Sequence, residues 1–139
     1  MALFNGLACV SIAVESIREA LPAYTEGLGL TVGSEIRTSP RGFGLRWIEL
    51  GDGQTNFLEL LEPAGSESLI AKFLARPGRS SVYQVRLSVK DLDRTLSTLE
   101  ARGVRVIRSP QVPGHPRLGW IHPVSTRGVL FELLEADGA

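Results

Sequence analysis

The chain has 139 residues, 43% of them hydrophobic and 22% charged, and fifteen basic side chains balance fifteen acidic ones to a formal net charge of zero. This length suits one domain able to bury about two-thirds of its unfolded surface, and the composition is that of a compact globular protein rather than a disordered or membrane-embedded one. Balanced charge without a basic stripe argues against nucleic acid as a partner, the single cysteine, Cys9, permits no internal disulfide, and an amino terminus without a basic, apolar leader reads as cytoplasmic, with no membrane association.

In chain order, the first signal is an alternation of Val10, Ile12 and Val14 with Cys9, Ser11 and Ala13, the period of a strand with one greasy face and one small or polar face. Ser16 with Glu19 forms a capping box, so a helix is expected over 16–27. Pro22 would cost about 3 kcal/mol in its interior, which predicts a kink or a late start. Strands are expected next near 30–38, 43–50 and 55–62. The stretch 63–80 begins with Pro63 and ends in Pro77, Gly78, Arg79 and Ser80, with Leu69, Ile70, Phe73 and Leu74 giving a helical turn or two, and reads as a partly ordered linker. Val85, Leu87 and Val89 then alternate with Gln84, Arg86 and Ser88, Asp91 is a reasonable N-cap for a helix over 91–102, and strands are expected near 104–108, 117–122 and 128–135.

The same order occurs twice because the sequence repeats. CVSIAVESI at 9–17 aligns with QVRLSVKDL at 84–92 at a shift of 75, and FLELLE at 57–62 aligns with LFELLE at 130–135 at a shift of 73. The expected architecture is α+β: two tandem βαβββ modules, about 6–62 and 81–135, joined by 63–80 into one domain, a pseudo-twofold, cup-shaped mixed sheet with helices outside and the working site in the cleft between modules. Strand alternation then pairs Cys9 with Gln84 and Glu59 with Glu132. Glu59 shares a strand face with Phe57 and Leu61, and Glu132 with Leu130 and Leu134. A carboxylate among apolar side chains needs a cation, a metal or a proton, which makes Glu59 and Glu132 the leading functional candidates. Partial exposure, or backbone donors, would satisfy them as well. Glu62 and Glu135 close their strands and are expected to be solvated.

With these elements in place the chain resembles the vicinal oxygen chelate (glyoxalase/bleomycin-resistance) superfamily, and within it the methylmalonyl-CoA epimerases. The resemblance rests on Ile12-Ala13-Val14, Gly27 to Leu30, FLELLEP at 57–63, IAKFL at 70–74, HPVST at 122–126 and GVLFEL at 128–133, and spans nearly the whole chain. It implies an enzyme, an epimerase-like isomerase or a lyase, that stabilises an enolate beside a carbonyl or thioester, with Glu132 or Glu59 as base. It also implies either no cofactor or one divalent metal held by Cys9, Glu59, Gln84 and Glu132. A small-molecule ligand of acyl-thioester type and a homodimer are implied as well.

The departures are specific. Cys9 and Gln84 stand where the family has histidines, and Pro40 or Arg41 where the epimerases carry a second acidic group. Val124 replaces a common lysine and Arg127 a common glycine. Arg86, on the face of Gln84, could supply a metal's charge by bidentate bonding to the carboxylates, or bind an anionic substrate. Cys9, Ser11, Gln84, Arg86, Trp47 and Trp120 are the candidate substrate-binding residues, the two tryptophans being equally compatible with core. His115 and His122 are expected in loop and turn roles. The alternative function is a metal-free protein that binds or sequesters a small molecule. An iron oxygenase is set aside because neither repeat offers a histidine at the required strand position.

Overall fold

A computed structural model describes residues 2–136, and the fold is α+β, with nine strands and few helices among these residues. The chain forms two compact units: one from Cys9 to Tyr83, and one from Gln84 onward that includes the residues up to Ala8.

In the first unit, β1 (Phe4–Ala13, of which Cys9 onward belongs here) lies parallel to β5 (Asn56–Pro63), which runs antiparallel to β4 (Leu45–Gly51). Two short strands, β2 (Thr31–Val32) and β3 (Arg37–Thr38), pair with β4. Helix α1 (Ile17–Pro22) packs Ile17 and Leu21 on Ile12, Ile48, Leu50, Leu58 and Leu60, and a second helix, α2 (Leu69–Leu74), sets Ile70 against Ala13 and Leu61. Both sheet faces are therefore covered near β1. This reverses part of the expected strand reading: Cys9, Ser11 and Ala13, on the small-residue face, are buried, while Val10, Ile12 and Val14 are half-buried.

Two expected elements change. Ser16 Oγ accepts the Glu19 amide at 3.2 Å as the capping box predicts, but the α-helix stops at Pro22 and a π-helical turn, Ala23–Gly27, replaces its second half. Proline lacks the N–H that would continue the ladder, and the chain instead widens by one residue, the Leu28 amide reaching the Ala23 carbonyl at 3.1 Å. The strand expected over 30–38 is split into β2 and β3. Gly33 sits where a Cβ would fall 1.9 Å from Asn56 Oδ1, and the Ser34 hydroxyl, not a backbone carbonyl, accepts the Glu49 amide at 3.0 Å, so the ladder is broken there.

In the second unit, β6 (Val82–Val89, of which Gln84 onward belongs here) is parallel to β9 (Phe131–Glu135), followed by β8 (Leu118–Ile121) and β7 (Val106–Arg108), both antiparallel to their neighbours. Helix α3 (Leu92–Ala101) begins at Asp91, whose Oδ1 accepts the Arg94 amide at 3.0 Å. Leu92, Leu96 and Leu99 recur at helical spacing and bury against Val89, Ile121 and Leu133. The last strand starts three residues later than expected, because Arg127 (φ 64°) and Gly128 (φ 108°) form a left-handed turn.

Glu62 and Glu135 are not solvated strand ends. Glu62 Oε1 accepts the Ile17 amide at 2.7 Å and Glu135 Oε2 the Leu92 amide at 2.9 Å, so each carboxylate caps the first turn of its own unit's helix. Unbonded N–H groups and the positive helix end make that a favourable place for an anion.

Candidate functional site

The register of the first unit sets Ser11 beside Glu59, a pairing that the repeat alone did not indicate. Ser11 lies opposite Glu59 and Glu59 opposite Glu49, so three adjacent strands present a hydroxyl and two carboxylates on one face. Glu59 is 3% exposed and Ser11 fully buried, and the Ser11 hydroxyl donates to Glu59 Oε1 at 2.6 Å. Cys9 is also buried, its thiol donating to the Val10 carbonyl at 3.5 Å. Glu49, half-buried and bonded through Oε2 to Asn56 Nδ2 at 3.1 Å, was not singled out from the sequence. The alternation Leu45, Trp47, Glu49 along β4 would have placed it on this face. Trp47 packs with Ala13, Leu61 and Ile70 and so belongs to a core cluster.

In the second unit Arg86 lies opposite Glu132, which lies opposite Trp120. Glu132 is clamped at both oxygens: Arg86 Nε donates to Oε1 at 2.8 Å and Gln84 Nε2 to Oε2 at 2.5 Å. Gln84 and Glu132 are buried, Trp120 is 9% exposed, and the Arg86 side chain is 19% exposed. Arginine bonding and partial desolvation make this a charge-assisted pair of the stronger kind, whose disruption would leave a buried carboxylate short of donors. The repeat maps Ser11 onto Arg86. The strand position that places a hydroxyl beside Glu59 thus places a guanidinium beside Glu132.

The remaining candidates lie elsewhere. His122 caps a short 3₁₀ turn, Pro123–Ser125, its Nδ1 accepting the Val124 amide at 3.0 Å, and His115 is exposed in the loop after Pro113. Arg41 lies in the turn before β4, its amide bonded to Ser39 Oγ at 3.3 Å. Val124 is 66% exposed.

A divalent metal does not fit the donors as they are arranged. Among the described residues no group of three or more His, Cys, Asp or Glu side chains is placed to hold an ion. Glu132 meets only N–H donors, one of them on a guanidinium that stays charged at any physiological pH, and the amide of Gln84 turns its hydrogens, not its oxygen, toward that carboxylate.

The fold matches a known architecture. Residues 10–120 match the model of the glyoxalase/bleomycin resistance protein/dioxygenase superfamily, and the chain belongs to that superfamily. Several of its relatives are epimerases. The mitochondrial methylmalonyl-CoA epimerase of Dictyostelium discoideum is 30% identical over 91% of this chain and 75% of its own length. The ethylmalonyl-CoA/methylmalonyl-CoA epimerase of Cereibacter sphaeroides is 30% identical over 89% and 92%. The crystal structure of methylmalonyl-CoA epimerase from Mycobacterium tuberculosis superimposes with a TM-score of 0.85 at 30% identity, covering 99% of this chain and 91% of that one. No helix among the described residues is long and apolar enough to cross a membrane.

Proposed function

We propose that this chain is an epimerase-like enzyme that binds an acyl thioester of the CoA type and exchanges the proton on the carbon beside the carbonyl. The observation that carries the reading is the pair of buried carboxylates at equivalent strand positions, Glu59 and Glu132, each held by a side-chain donor from the neighbouring parallel strand. A strand-borne carboxylate held in this way is a fixed proton acceptor, and general base catalysis of this kind contributes about 10²–10⁴-fold. The named activity of the relatives supports the substrate class. A lyase that breaks a bond at the same carbon would draw on the same groups.

Incubation with methylmalonyl-CoA in deuterated buffer tests this. Deuterium should enter the α-carbon faster than in a protein-free control, and Glu59→Gln or Glu132→Gln should slow it by about 100-fold. Wild-type protein that leaves the α-proton in place would refute the reading. A second reading, a protein that binds a small molecule without turning it over, is favoured by the clamp of Gln84 and Arg86 on Glu132, which occupies both carboxylate oxygens. Ligand binding without exchange is its signature.

A further inference from the structure

The structure assigns to Arg86 the place of a divalent cation at Glu132: a resident guanidinium neutralises this buried carboxylate, and the chain takes up no divalent metal there. The assignment deepens the proposed thioester chemistry, and it rests on that reading only for the statement that this charge serves a reaction.

The pair is largely withdrawn from water, with side-chain exposures of 19% for Arg86 and 6% for Glu132 and an Nε to Oε1 distance of 2.8 Å. A carboxylate in such surroundings requires a compensating charge, and the guanidinium supplies it without the possibility of deprotonation. Gln84 completes the clamp at the second oxygen. An ion approaching either oxygen would have to displace an N–H donor and settle beside a like charge. The repeat also shows that the guanidinium is not imposed by the fold, since the equivalent place in the first unit is occupied by the Ser11 hydroxyl against Glu59. In the proposed reaction a thioester carbonyl gains negative charge as the α-proton leaves, and a fixed guanidinium would stabilise it without the reorganisation that water would need. The inference is that activity is independent of divalent metal and dependent on a cation at position 86.

Two measurements on the full chain decide it. Protein purified without chelator, dialysed and analysed by mass spectrometry should contain far less than one Zn²⁺, Mn²⁺ or Co²⁺ per chain, and calorimetric titration with each ion should give no stoichiometric binding. About one ion per chain, lost in Glu132→Gln, would overturn the assignment. In the second measurement, α-proton exchange should be unchanged by a chelator in the wild type, fall by about 100-fold at saturating substrate in Arg86→Ser, and recover in part in Arg86→Lys. Arg86→Ser that exchanges at the wild-type rate would overturn the catalytic use of the charge. If that variant does not fold, chelator sensitivity of the wild type or of Arg86→Lys decides instead, and loss of exchange on chelation would overturn it. Failure of the proposed function is separable: wild-type protein that exchanges no proton yet holds no metal removes the reaction and leaves the resident cation.

Discussion

Ser11 is buried without any solvent exposure, and its hydroxyl donates to Glu59 over 2.6 Å. Ser11→Ala removes that donor from a carboxylate that water cannot reach, so stability should fall by about 1–3 kcal/mol. A urea titration at neutral pH reads this, and a loss below about 0.5 kcal/mol would mean that Glu59 is indifferent to its neighbour. Gly51 is constrained differently. A Cβ there would lie 1.8 Å from the Thr55 carbonyl oxygen, at the bulge between Leu50 and Gly51, and backbone cannot step aside as a side-chain tip can. Gly51→Ala should cost about 3 kcal/mol, the upper end of ordinary overpacking, in the same titration. Glu59 and Glu132 were legible in the sequence, because parity along one strand is enough to place a residue on a face. Their partners' geometry was not, because Ser11 and Glu59 lie 48 residues apart and only the β1–β5 register sets them side by side.

Elements were legible where the local signal agreed with the packing. The caps at Ser16 and Asp91 formed as read. The split of β2 from β3 was not visible, since it follows from Asn56 and Glu49, which come later in the chain. The roles of Glu62 and Glu135 were missed for the same reason: a strand end was known, but not the helix amide above it. Asp93, in the first turn of α3, bears on pH. The bond from Arg117 at 2.6 Å holds its carboxyl below the usual carboxylate range, with the Arg117 charge adding to the effect. A carboxylate whose pKa is depressed in the folded state stabilises fully above its unfolded value, about 3.9, and loses that contribution as pH falls through the folded one. Wild type and Asp93→Asn should therefore differ most in melting temperature at neutral pH and low salt and converge below about pH 4. Both partners face solvent, so the gap should be small and should shrink in high salt. A gap that widens on acidification would contradict this assignment.

For the molecule as a whole, the repeat is the most informative feature of the sequence, since a shift of 73–75 residues marks out two βαβββ halves. Strand order was beyond it, because each terminal strand pairs with the first strand of its unit across a long separation, parallel in both cases. That order places β5 between β1 and β4, and β9 between β6 and β8. A strand bonded on both sides releases its amides only when its neighbours part, whereas the two-residue pieces β2 and β3 are each bonded to β4 alone and are exposed. Amides that exchange through fraying sample small openings, and amides at the centre of a packed sheet sample the largest ones. The apolar shell reinforces the contrast, since Leu60 and Leu133 are both 0% exposed, whereas Val32 is 42% exposed. Native-state hydrogen exchange should accordingly find the slowest amides around Leu60 and Leu61 in one unit and Leu133 in the other, with Val32, Arg37 and Thr38 among the fastest. Equal protection of β2 and β5 would mean that the broken edge is as firmly held as the strand that carries Glu59.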